Sequence, residues 1–75
     1  MSGRTVKLSG NQIKAIRLAI GDSQAALAER IAVSQPAIFR LERKGSQFVS
    51  GPEVILIRQI AEQHRIDIDS IVGNE

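Results

Sequence analysis

The apolar positions along the chain recur at intervals of three and four residues, which is the period of an amphipathic α-helix. The first predicted helix, residues 10–20, carries three isoleucines at this spacing. Ser9 precedes it as the N-cap, Gln12 completes a capping-box pattern, and Gly21 ends the run. Because no segment sustains the apolar-polar alternation typical of a half-buried strand, the pattern predicts an all-α fold.

Similar capping and periodicity signals recur along the rest of the chain and predict five helices in all. Ser23, Ser34 and Asp67 stand in N-cap positions before the second, third and fifth helices. Ser50 followed by Glu53 predicts a second capping box, at the start of the fourth helix. The predicted helices cover about residues 10–20, 24–31, 35–44, 51–64 and 68–72.

The length and composition favour one small domain. A chain of 75 residues, 43% of them hydrophobic, builds one core of marginal stability, so self-association is expected to add to it. We predict a single domain over residues 9–73, preceded by a flexible basic arm, residues 1–8. There are no cysteines, which fits a reduced cytoplasmic compartment. The longest aliphatic runs are too short to span a bilayer, so no membrane partner is expected.

The charges are unevenly divided along the chain. Residues 1–50 carry a net charge of +5 and residues 51–75 a net charge of −3. The basic part is therefore expected to meet an anionic partner such as nucleic acid, and the acidic part a different one.

The second and third predicted helices are short and are joined by a turn of three or four residues, as in a helix-turn-helix. The segment that contains them is SQAALAERIAVSQPAIFRLERKG. It resembles the lambda-repressor-like (Xre/Cro/CI-type) DNA-binding domains, and the resemblance covers about residues 8–73. It implies a five-helix domain in which helices two and three form the helix-turn-helix.

The resemblance also assigns structural roles to individual positions. Arg17 and Glu42 occupy positions where relatives often place a structural ion pair. Ala32 stands at a turn position that is usually Gly, because the backbone there tends towards the left-handed region. His64 replaces a common large aliphatic residue, which predicts a half-buried imidazole or a rim position. Lys44 adds a residue before the Gly that ends helix three.

Helix three of such a motif enters the major groove with its first residues at the base edges. The Gln35 amide can donate one hydrogen bond to adenine and accept another from it. The Arg40 guanidinium can donate two hydrogen bonds to the O6 and N7 atoms of guanine. Pro36 and Phe39 are expected to make apolar base contacts. The alternatives are a solvated surface role for Gln35 and Arg40, and a core or interface role for Phe39.

Phosphate contacts are expected on both sides of the recognition helix, at positions where relatives grip the DNA backbone. Their side chains are hydroxyl, amide or cationic groups. The candidates are Ser23, Gln24, Ser34, Arg43, Lys44, Ser46 and Gln47.

The aliphatic residues of the last two predicted helices exceed what one monomeric core requires. A two-fold dimer would bury the surplus and would bind a near-palindromic operator. The candidate interface residues are Ile55, Ile68, Ile71 and Val72.

No catalytic set, phosphate-binding glycine loop or metal-ligand spacing is present, so neither an enzyme, a metal nor a cofactor is predicted. The sequence predicts a DNA-binding transcriptional regulator, in particular a small Cro/CI-like repressor. An antitoxin with a toxin partner, a restriction-modification controller and a bundle used only for protein contacts remain as alternatives.

Overall fold

The computed structural model describes residues 6–68, which form four α-helices and a two-stranded sheet. In chain order the elements are β1 (Leu8–Ser9), α1 (Gly10–Ile20), α2 (Gln24–Arg30), α3 (Gln35–Glu42), β2 (Phe48–Val49) and α4 (Pro52–Gln63). The helical helix-turn-helix architecture is confirmed, and the helix bounds lie within two residues of the predicted ones. The five-helix count is not matched: the predicted fifth helix, residues 68–72, falls outside the described residues except for Ile68.

Serine hydroxyls cap the first three helices. The backbone N–H of Gln12 donates to the Ser9 hydroxyl at 3.0 Å, and the Gln12 side chain accepts from the Ser9 N–H at 2.9 Å, which completes the predicted capping box. Ser23 and Ser34 accept in the same way from the third residue of α2 and of α3. These caps satisfy backbone donors that have no partner within a helix, and so fix where each helix begins.

The predicted capping box at the start of α4 is wrong. Gly51, not Ser50, is the N-cap residue, and no side chain caps the helix. Gly51 has a φ of 131°, a conformation that other residues rarely adopt, and Pro52 follows at the first helical position. Because the helix begins one residue later than predicted, Glu53 lies one position too early to close a box.

The two short strands were not predicted. They pair antiparallel, with Leu8 opposite Val49 and Ser9 opposite Phe48. Leu8 is 1% exposed and belongs to the core, so the predicted flexible arm, residues 1–8, is wrong for this residue. Two residues per strand are too few to show a period of two, which explains why the sequence pattern missed them.

The core lies between the helices and is aliphatic throughout. α3 packs against α1 and α2, and α1 also packs against α4. The buried apolar residues are Leu8, Ile13, Ile16, Leu27, Ala28, Ile31, Ile38, Val54, Ile57 and Ala61. They come from all four helices and from β1, so each helix is held in the domain by the apolar residues of one face.

Gly10 allows the start of α1 to lie directly against the end of α3. A Cβ atom at this position would lie 2.6 Å from the carbonyl oxygen of Leu41 and 2.7 Å from the backbone nitrogen of Gly45. The neighbouring Asn11 N–H donates to the Gly45 carbonyl at 2.9 Å. This contact sets the position of the end of α3 relative to the rest of the domain.

The turn between α2 and α3 passes through the left-handed region at Ala32, whose φ is 60°. The Val33 N–H then donates to the Ala28 carbonyl at 3.0 Å, which closes the end of α2. The left-handed conformation expected at this position is therefore present although the residue is not glycine. The turn delivers Ser34 to the start of α3 with only four residues between the two helices.

Candidate nucleic-acid interface

α3 turns one face to the core and the opposite face outwards. Ile38 is fully buried, whereas Gln35, Pro36, Phe39 and Arg40 are exposed. Residues four apart on a helix lie in one row on its surface. Gln35 and Phe39 therefore form one row, which Arg43 continues beyond the helix end, and Pro36 and Arg40 form the row beside it.

Gln24 holds the first residue of this exposed face in place. The Gln35 amide nitrogen donates to the Gln24 side-chain oxygen at 2.6 Å, and the Gln24 amide nitrogen donates to Oε1 of Glu42 at 3.0 Å. Sequence reasoning placed Gln24 among the phosphate contacts and missed this bridge. In the sequence, the only indication of this bridge is that Gln24 and Gln35 are the first residues of the two helices of the motif.

The bridge ends on the ion pair between Arg17 and Glu42. The Nε atom of Arg17 lies 2.6 Å from Oε2 of Glu42, and its Nη2 atom lies 3.2 Å from Oε1. The third guanidinium nitrogen of Arg17 donates to the Asp22 carbonyl at 2.9 Å. Since the two side chains are only 10% and 6% exposed, this pair joins α1 and α3 beneath the exposed face.

A second ion pair fixes the loop between α1 and α2. The Arg30 guanidinium donates two hydrogen bonds to the Asp22 carboxylate, of which the longer is 3.1 Å. Arg30, by this hydrogen bonding above all, lowers the pKa of Asp22, with smaller contributions from the charges of His64 and Arg17. In turn, Asp22 raises the pKa of Arg30. The pair secures the segment that contains the Ser23 cap.

The predicted phosphate-contact residues lie at both ends of the motif. Ser23 and Ser34 are exposed, and each accepts one N–H as a cap, a bond that does not use its own hydroxyl proton. Arg43, Lys44, Ser46 and Gln47 are exposed in the turn after α3. Gly45, within this turn, has a φ of 62°, so the left-handed conformation falls on the glycine that follows the additional Lys44.

A surface depression of about 660 Å³ adjoins the exposed face of α3. It brings together predicted base-contact and phosphate-contact residues, three of them cations. Its lining residues are Ala37, Phe39, Arg40, Leu41, Arg43, Lys44, Gln47 and Glu53. The Arg43 guanidinium lies over the Phe39 ring, 5.7 Å from its centroid, within the range of a cation–π contact.

The dimer candidates have different surroundings. Ile55 on α4 is 43% exposed, and its neighbour Leu56 is 39% exposed. Ile68 is half-buried and packs against the core. Ile71 and Val72 lie outside the described residues. His64 is exposed at the C-terminal end of α4. Of the two positions predicted for it, this is the rim position and not the half-buried one.

Two other kinds of site are absent from residues 6–68. No group of three or more His, Asp or Glu side chains is placed to hold a metal ion there. No helix in this part of the chain is long and apolar enough to cross a membrane.

The short helix α3, supported across a tight turn by α2 and presenting polar and cationic side chains, has the arrangement of a helix-turn-helix DNA-binding protein. A family model described as helix-turn-helix matches residues 13–71. The chain belongs to this family, that of the lambda-repressor-like domains, and is a DNA-binding regulator of this type. No curated protein and no solved structure matches the chain.

Proposed function

We propose that this protein is a transcriptional repressor that binds a near-palindromic operator in duplex DNA as a dimer. The observation that carries the proposal is the exposed face of α3. Gln35 and Arg40 lie on this face away from the core, and Gln24 of α2 bonds Gln35 and Glu42 at the two ends of the helix. Such a face fits the major groove, whose width accepts one α-helix.

Gln35 and Arg40 are the proposed base-reading residues. Gln35 uses one amide hydrogen to reach Gln24, which leaves its other amide hydrogen and its side-chain oxygen for the N7 and N6 groups of adenine. The bond to Gln24 also restricts the rotamers of Gln35, so less conformational entropy is lost on binding. Arg40 is exposed, and its guanidinium forms no ion pair within residues 6–68. Its donors therefore remain available to guanine.

The turn after α3 is the proposed site of phosphate contacts. Arg43 and Lys44 bring two positive charges to one side of α3, and Ser46 and Gln47 add neutral donors beside them. On the other side, the hydroxyl protons of Ser23 and Ser34 support the same role. Gln24 has a smaller part in these phosphate contacts, because its amide oxygen accepts from Gln35 and one of its two amide hydrogens bonds Glu42, which leaves one hydrogen for a phosphate.

The proposed dimer joins two copies through α4. Ile55 and Leu56 are exposed there, and burying them against a second copy removes apolar area from water. A dimer also presents two recognition helices, which doubles the phosphate contacts and matches a palindromic site. Occupation of the operator excludes other proteins from the same duplex, so repression requires only the DNA-binding and dimer surfaces.

The oligomeric state tests the dimer directly. Ile55→Asp should shift the sedimentation coefficient from that of a dimer to that of a monomer. Leu18→Asp is the matched control, because Leu18 is 58% exposed on α1 and lies outside the proposed interface. A dimer that survives Ile55→Asp would place the interface elsewhere.

A second candidate function is that of an antitoxin, which binds a protein partner as well as DNA. The observation that favours it is Leu18, an apolar side chain that is 58% exposed on α1, the helix that the proposed α4 interface does not include. A stable stoichiometric complex that is lost in Leu18→Asp would support this candidate.

Selection from a random duplex library tests the proposed function as a whole. The protein is incubated with the library at physiological salt, and the bound duplexes are sequenced. We expect a two-fold symmetric motif with half-sites about one helical turn apart. A folded protein that enriches no motif would contradict the proposal and would favour a protein partner.

A further inference from the structure

Phe39 is a large apolar side chain in cationic surroundings. It is 45% exposed on α3 and does not belong to the core cluster. Three cations, Arg40, Arg43 and Lys44, line the same depression against one carboxylate, that of Glu53, so its lining is positive on balance. Like charges repel, so this patch is poorly suited to contact an identical patch on a second copy. The surroundings instead favour an anionic partner that also offers an apolar group.

We propose that Phe39 reads the C5-methyl group of thymine in the major groove. The inference rests on the proposed function, since it requires α3 to lie in that groove. The thymine methyl is the apolar group that base edges present there. Phe39 stands one helical turn after Gln35, in the same row, so a base pair next to the one that Gln35 contacts lies within its reach.

Arg43 contributes by covering part of the ring. Its guanidinium lies over the ring of Phe39, 5.7 Å from the centroid, where the cation is attracted to the ring. The rest of the ring remains exposed towards the depression. The contact thus leaves Phe39 as a positioned apolar surface beside a cation that is available to a phosphate.

Two selections test this inference, from duplex pools that differ only in the presence of the C5-methyl group of thymine. One random duplex pool is amplified with thymidine triphosphate and the other with deoxyuridine triphosphate, which removes the C5-methyl and leaves the base-pairing edge intact. We expect the wild-type protein to prefer thymine at one position per half-site in the first pool and to lose that preference in the second. Burial of one methyl group predicts about a four-fold affinity difference at each such position.

Phe39→Ala should lose the difference between the two pools while keeping the preferences due to Gln35 and Arg40. Phe48→Ala is the matched control, because Phe48 is the other phenylalanine of the chain and is 63% exposed outside α3. It should retain the difference. Circular dichroism verifies that each variant is folded, and uracil substitution in the wild-type site gives the methyl effect without any variant.

The outcomes separate this inference from the proposed function. A shared motif with the same preferences in both pools would overturn the methyl contact and leave the proposed function standing. A thymine preference that survives in Phe39→Ala would assign the contact to another residue and overturn the inference too. No motif in either pool would contradict both.

Discussion

Arg17 and Glu42, on α1 and α3, form a bidentate ion pair that is buried below the exposed face of the recognition helix. The two N–O distances are 2.6 and 3.2 Å. Through Gln24, the same carboxylate supports the amide of Gln35. The pair thus connects the packing of the domain to the orientation of a residue that we propose to read DNA.

Removing one partner of this pair should be strongly destabilising. Arg17→Met leaves the Glu42 carboxylate buried without a cation, with only the Gln24 amide as a partner, which costs about 3–5 kcal/mol of unfolding free energy. Arg58→Met is the control, because the Arg58 pair with Glu62 is exposed and is worth about 0–1 kcal/mol. Urea titrations of both variants measure the two losses. Equal, small losses would show that the buried pair is not a structural link.

Ala32 offers the opposite test, a substitution that should stabilise. Its φ of 60° costs a residue with a Cβ about 1 kcal/mol, which Gly avoids. We expect Ala32→Gly to raise the unfolding free energy by up to about 1 kcal/mol, less the greater chain entropy of Gly in the unfolded state. Ala19→Gly, in α1, should lower it by roughly 0.5–1 kcal/mol. If both variants are destabilised equally, the turn at Ala32 carries no strain.

Titration of Asp22 should make the unfolding free energy depend on pH in the acid range. Its pKa in the folded state is lowered from the ordinary 3.8, mainly by the hydrogen bonds from Arg30. The stabilisation is therefore fully present above pH 3.8 and is lost as the pH falls through the lower folded-state pKa. At pH 7, Asp22→Asn should cost at most about 1 kcal/mol, since Arg30 is partly exposed.

The measurement is the unfolding free energy of wild type and Asp22→Asn between about pH 2 and pH 7, the range that contains the titration of a carboxylate. The difference should be constant near neutrality and should shrink on acidification. Glu29→Gln, which alters an exposed carboxylate on the same helix as Arg30, serves as the control. A difference that grows towards low pH would contradict the assignment.

Much of the fold followed from local signals. The serine caps and the spacing of the isoleucines were sufficient for α1, α2 and α3, because a cap and a buried stripe act within one helix. The capping box at Ser50 failed because the backbone of Gly51 moved the helix start by one residue. The pairing of Leu8 with Val49 joins residues far apart in the chain, which no local pattern encodes.

The exposure of the candidate base-contact residues was predicted from the sequence, but the hydrogen bonds that hold them were not. The motif placed Gln35, Phe39 and Arg40 on one outward face, and all three are exposed on α3. The bonds that Gln24 makes to Gln35 and Glu42 were missed. They depend on how the start of α2 packs against α3, and helix periodicity does not determine that three-dimensional arrangement.

If Lys44 contacts only phosphate, it should contribute equally to the affinity for every duplex. Lys44→Ala is expected to weaken binding to specific and unrelated duplexes by the same factor. It should also make the slope of log K against log salt concentration shallower by about 0.9 for each phosphate that is no longer neutralised. Lys14→Ala, at an exposed position on α1, is the control. Weaker binding to the preferred duplex alone would instead assign base reading to Lys44.

We propose that the exposed face of α3 reads DNA sequence. This recognition is tested most directly by the affinity of wild type, Gln35→Ala and Arg40→Ala for a selected duplex and for variants with one base pair changed. Each substitution should abolish discrimination at a single base pair per half-site, with a loss of about 1–3 kcal/mol on the selected duplex. If both variants keep the wild-type discrimination at every position, α3 does not read the bases and the proposed mode of DNA recognition is wrong.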